Sequence, residues 1–130
     1  MIPKFRAWDK ENKKMLVVND ICNLFWENTF FECYELVPDP KGKREYELIN
    51  HRIDFEDCVL MQSTGLVDKN GQEIFEGDMV RMSSGELLQV KLHHGMFIPV
   101  CFYISSVFEL VGNVFENPEL LEDPDFREDE

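Results

Sequence analysis

Residues 61–80 read M-Q-S-T-G-L-V-D-K-N-G-Q-E-I-F-E-G-D-M-V, and this stretch decides the fold. Asp68-Lys69-Asn70-Gly71 is a turn, because Asn and Gly tolerate the positive φ angles of a tight reversal. Glu76-Gly77-Asp78 is a second reversal and feeds Met79 and Val80 into a new strand. Two reversals so close together require short β elements meeting at steep angles, as in small barrels and sandwiches.

Outward from this stretch the same pattern continues. Lys4 to Trp8 alternates, with Phe5 and Ala7 on one side and Lys4, Arg6 and Trp8 on the other, the period of a half-buried strand. Asp9 to Lys14 turns, and Met15 to Val18 returns to make a hairpin. Asn19-Asp20 breaks the pattern, with Asp20 placed to cap a short helical turn through Leu24. Glu32 to Val37 and Arg44 to Ile49 read as strands around an exposed tip at Pro38–Lys43. Cys58 to Ser63, Met79 to Met82 and Glu86 to Leu92 are further strands. His93-His94-Gly95 turns the chain. Met96 to Ile104 is nearly all apolar and reads as a strand covered on both faces, with Pro99 at a sheet edge or bulge. Val107 to Phe115 is the last strand, kinked at Gly112. Asn117-Pro118-Glu119 starts a short helix, with Asn at the N-cap and Pro at N1.

The expected fold class is therefore mainly β, α+β at most. It has an N-terminal hairpin and variable region over 1–57 and a small antiparallel barrel-like core over 58–121 that ends in a short helix. An acidic tail over 122–130 reads as flexible. A chain of 130 residues with 11 Phe supplies a packed interior without metals or disulfides. It holds no apolar run of about 18 residues and opens without an apolar leader. A cytoplasmic location in a bacterial host cell is the expectation.

The net charge is −13, and it is unevenly spread. From Glu116 to Glu130 eight acids stand against Arg127, whereas Met1 to Val18 holds five bases and two acids. This balance opposes sequence-independent nucleic-acid binding, which works by neutralising phosphates.

Motifs for chemistry are sparse. The four cysteines, Cys22, Cys33, Cys58 and Cys101, form no C-x-x-C pair, so zinc is not expected. Asp68 to Glu73 resembles a calcium loop only loosely, since its glycine falls at the fourth position instead of the sixth. Glu76 and Asp78 flank a turn tip, where Asp78 is placed to bond backbone N–H groups. His93 and His94 point to opposite faces of an extended chain and could share a metal only across a sharp turn. No G-x-S-x-G or phosphate-binding glycine loop occurs. Hence no catalytic residue, cofactor or metal is expected, and the chain does not read as an enzyme. Lys4, Arg6 and Trp8 are the one candidate partner contact, a basic and aromatic strand face able to grip a ligand or base. The plainer reading has Trp8 over the core edge and the two bases meeting acidic surface.

Three blocks carry a family resemblance: K-F-R-A-W-D over Lys4–Asp9, T-G-L-x-D-x-x-G-x-x-I-F-E-G-D-x-V over Thr64–Val80, and F-E-L-V-G-N-V-F-E-N-P-E-L-L over Phe108–Leu121. In this order they resemble the YopX family of small proteins from bacterial phages and prophages. Asn19 to Asp57 corresponds to the family's variable part, and Ser63 departs from the aromatic residue expected there. The resemblance implies a mostly β fold with a barrel-like C-terminal portion and brings no catalytic residue with it. The implied role is that of a phage accessory protein working through protein–protein contacts or self-assembly, so an unknown protein or a second copy is the expected partner. Two alternatives are an acidic nucleic-acid mimic that blocks a host DNA-binding enzyme, and a small-barrel nucleic-acid binder using Lys4, Arg6 and Trp8 or Lys91 and His93.

Overall fold

The structure is a computed structural model and describes residues 4–23, 28–38, 41–42 and 45–128. Among them the fold is mainly β, the strands pair antiparallel within their sheets, and the helical pieces are short 3-10 turns. The chain forms two compact units, Lys4–Leu60 and a unit running from Met61 to the C-terminal end. It passes from one to the other inside strand β5 (Cys58–Val67).

The first unit is a meander of β1 (Phe5–Asp9), β2 (Lys14–Cys22), β3 (Phe30–Pro38) and β4 (Tyr46–Asp54), ordered β4-β3-β2-β1. Its core is Ala7, Leu16, Phe31, Cys33, Ile53 and Cys58. The buried Asp9 carboxylate organises the β1–β2 turn by accepting the N–H groups of Glu11 at 3.0 Å and Asn12 at 3.2 Å. Such side-chain bonding is why Asp favours reversals.

Two sequence expectations need correction in this unit. Asn19-Asp20 does not end a strand. The register jumps from Val18↔Cys33 to Asp20↔Glu32, so Asn19 is the extra residue of a bulge and β2 continues to Cys22. No helical turn begins at Asp20, and Leu24 lies outside the described residues. The strand expected at Arg44–Ile49 runs instead from Tyr46 to Asp54, in continuous register with β3. Of the tip between them, Lys41 and Gly42 are described and exposed, whereas Asp39, Pro40 and Lys43 are not described.

The second unit contains the rest of β5, then β6 (Glu73–Phe75), β7 (Asp78–Met82), β8 (Leu87–Gln89), β9 (Lys91–His93), β10 (Met96–Ile98) and β11 (Phe108–Asn113). The pairings are β5 with β6, β9 with β10, and a three-stranded sheet ordered β11-β7-β8. They surround one core of Ile74, Val80, Met82, Leu88, Val90, Val100 and Phe108. The arrangement is barrel-like but does not close. The long strand expected over Glu86–Leu92 is divided at Val90, whose N–H donates to the Asp78 carbonyl while its own carbonyl accepts the Gly77 N–H.

Met96 to Ile104 is not one covered strand either. β10 ends at Ile98, and Pro99, cis to Ile98, cannot continue a ladder without an N–H. Two 3-10 turns follow, Val100–Phe102 and Ser105–Val107.

The C-terminal helix is a 3-10 turn over Pro118–Glu122, with Asn117 at its N-cap and Pro118 inside its start. The Asn117 side chain makes no cap bond. Its oxygen accepts the Asn113 N–H at 3.2 Å instead. Gly112 allows this close approach: a Cβ there would strike the Asn117 side-chain oxygen, with Asn117 Cγ at 2.9 Å and Leu120 Cδ1 at 3.0 Å. Gly112→Ala is expected to cost about 1–3 kcal/mol, as overpacking does, read as a lowered urea midpoint with unchanged slope.

Among the described residues the tail does not run free after Glu122. Leu87 of β8 donates to the Asp125 carbonyl and accepts the Arg127 N–H, both at 2.9 Å, and Phe126 forms a parallel bridge with Leu87. Arg81 reaches Asp125 at 3.1 Å. The acids near Pro124 are held because β8 offers them an open edge and a guanidinium.

Candidate functional site

The motif blocks position three buried polar side chains: Asp68 and Asp78 from the central block and Asn113 from the C-terminal one. Asp68 Oδ1 accepts the N–H groups of Asn70 and Gln72, each at 2.9 Å, and Oδ2 accepts the Leu110 N–H at 2.8 Å. Burial pushes this carboxyl up, but the donors from Leu110, Gln72 and Asn70 outweigh it and hold its pKa below the ordinary 3.8. Asp78 Oδ2 accepts the Phe75 N–H at 2.8 Å across Gly77. Asn113 Oδ1 accepts from Phe115 at 3.0 Å and Glu116 at 2.8 Å. Each group turns the chain by satisfying backbone donors that a reversal leaves open. Ser63, at the position where an aromatic residue was expected, is accommodated by donating to Glu73 and accepting from Gly65.

Two of the thiols are buried. Burial pushes Cys33 and Cys58 up to about 11, and a protonated thiol is a poor nucleophile. On the meander, Glu35 lies 2.9 Å from His51 and 3.2 Å from Lys14. The His51 bond outweighs burial and, together with Lys14, holds Glu35 below its usual value. The trio ties β2, β3 and β4 together.

A cleft of about 420 Å³ opens on the first unit, lined by Thr29, Arg52, Asp54, Phe55 and neighbouring acids. Arg52 lies 3.6 Å from the Phe30 ring centroid, and Asp54, Glu56 and Asp57 are all exposed. Carboxylates so similarly solvated lack the divergent environments that acid–base pairs need. Among the described residues no three His, Cys, Asp or Glu side chains are grouped to hold a metal.

His93 and His94 do meet, contrary to their expected opposite directions. His94 has φ 49° and Gly95 φ 78°, so the chain turns at His94-Gly95 directly after β9, and the rings of His93 and His94 meet at 4.1 Å, edge to face. Lys4 is exposed, Arg6 half-buried and Trp8 buried, so the three do not form one open face.

The feature that sequence reading missed is an exposed apolar ridge. Phe102, Tyr103 and Ile104 are 63%, 51% and 73% exposed, and Cys101 beside them is also exposed. The signal was present: Leu87 to Phe108 contains no acid in a chain holding 26. Apolar density alone does not separate an exposed run from a covered one.

Among the described residues no helix is long and apolar enough to cross a membrane. Comparison with curated proteins gives no match. Among solved structures, protein EF1440 from Enterococcus faecalis is similar, with a TM-score of 0.67 and 30% identity over 93% of this chain and 99% of that one. The family model described as YopX protein matches residues 4–122. That match spans both units and all three motif blocks, and the chain belongs to the YopX family.

Proposed function

We propose that this protein is a non-catalytic accessory protein, of phage or prophage origin, that works by binding another protein. The observation that carries this reading is the ridge Cys101–Ile104. Consecutive exposed apolar residues destabilise solubility unless a partner uses them, and aromatic side chains free of nearby charge dominate binding energy at interfaces. The ridge lies in the acid-free segment Leu87–Phe108, so no carboxylate adjoins it along the chain to be desolvated on binding. The family's motif residues support the same reading, because they are occupied in building turns. The nucleic-acid readings have less behind them: Trp8 is buried, and Asp125 is engaged by Arg81.

The test is capture from host-cell extract with immobilised wild type and with the double variant Phe102→Ser/Ile104→Ser. The variant should bind the captured partner about 10–100-fold more weakly, the range for losing central anchors. Its stability should stay within about 0.5 kcal/mol of wild type, as for exposed sites. Equal capture by both proteins would refute the reading.

A further inference from the structure

We propose that strand β4 is a self-pairing edge, where two copies of this chain join their meanders into one continuous antiparallel sheet. This goes beyond the ridge, because it uses a different surface on the other unit. β4 is the outer strand of the meander, with β3 on one side and no strand on the other among the described residues. It runs nine residues, Tyr46–Asp54, longer than the usual five or six. An edge of this length presents a row of backbone donors and acceptors that natural sheets blunt with Lys, Pro or a bulge. β4 contains neither Lys nor Pro, and its register with β3 has no shift. Two apolar side chains, Tyr46 and Leu48, are 52% and 54% exposed on it.

The occupant follows from the self-complementarity of the strand, which must act against the repulsion between two acidic copies. Each copy carries −13, so self-pairing must keep like charges apart. A two-fold axis through Asn50 does this. Tyr46 then faces Asp54 of the second copy, Glu47 faces Ile53, Leu48 faces Arg52 and Ile49 faces His51. No like charges are opposed, and Glu47 lies diagonal to His51 of the second copy, within cross-strand reach. This register pairs the whole strand. A shift of two residues shortens the ladder, and a shift of one sets core-facing residues against solvent-facing ones.

Sedimentation equilibrium on the full chain, at concentrations up to about 100 μM, a range that detects weak self-association, tests the pairing. Wild type should dimerise. Leu48→Lys places two cations opposite each other twice per dimer and should weaken it about tenfold or more. Leu48→Glu places an acid opposite Arg52 and should keep the dimer. At concentrations dilute enough to leave wild type monomeric, thermal melts of both variants should match it, because Leu48 is half-exposed in the single copy. The Phe102→Ser/Ile104→Ser variant should remain dimeric, which separates this proposal from the one above. A monomeric wild type would overturn self-pairing and leave the edge to an extended segment of another protein. Equal effects of Lys and Glu at position 48, or a monomeric ridge variant, would overturn it as well.

Discussion

Asp68→Ala should lower the unfolding free energy by about 2–4 kcal/mol, the cost of stripping a buried charged acceptor from several donors. Three backbone N–H groups lose their acceptor together. Those of Asn70 and Gln72 lie at an exposed turn and can turn to water. The Leu110 N–H sits in β11 and has the most to lose. Asp68→Asn keeps one oxygen acceptor and loses the charge, so it should fall between wild type and alanine. The pH dependence has a definite sign. Folding depresses the Asp68 pKa below 3.8, so its contribution is complete above that value and fades as pH falls through the folded pKa. Asp9 acts in the same direction, its burial outweighed by bonds from Asn12 and Glu11. Wild type should therefore lose stability in acid below about pH 4, and Asp68→Ala should lose less over that window. Urea titrations at neutral and acidic pH measure both. A neutral-pH loss under about 0.5 kcal/mol, the size of an ordinary surface change, would show that the carboxylate does not join the turn to β11.

Phe108→Ala is expected to cost more, about 3–5 kcal/mol, from lost transfer energy and the cavity left behind. Phe108 is 1% exposed and lies in the core with Ile74, Val80 and Val100. It pairs with Met82 at the start of β11, and its carbonyl accepts the Lys69 N–H at 3.1 Å. Its ring thus fills the core where the Asp68 turn, β7 and β11 converge. Phe108→Leu keeps most of the volume and should cost about 1.5 kcal/mol or less. Denaturant melts give the free energies, and amide exchange across Asp78–Met82 should accelerate in the alanine variant. Wild-type protection there would mean that this ring is not what holds β7.

Much of this architecture could be read from local chemistry. The Asp68–Gly71 and Glu76–Asp78 reversals were legible because Asp, Asn and Gly act within a few residues of themselves. The Asp78 bond to Phe75 was anticipated for the same reason. The second bond of Asp68, to Leu110 42 residues away, leaves no local trace. Asn19 looked like a break because a bulge and a strand end use the same polar residues. Separating them needs the partner strand: here Val18 and Asp20 both pair with β3. The run Met96–Ile104 misled because apolar composition specifies burial only when something covers it. Pro99 ends the ladder, Val100 still packs into the core, and Cys101 to Ile104 surface. At the meander, Trp8 went inward although alternation placed it with Lys4 and Arg6, since Ala7, Trp8 and Asp9 are all buried. Period-two reasoning fails where both sides of a strand are covered.

The order of pairing has a consequence for synthesis. β1 to β4 each join their nearest neighbour in the chain, so the meander can assemble as it leaves the ribosome. β7 must wait for β11, and β8 for Phe126. The local bonds of Asp68 and Asp78 can form as soon as their turns are made, but the Leu110 N–H reaches Asp68 only after β11 has been synthesised, so the second unit gains its long-range order late.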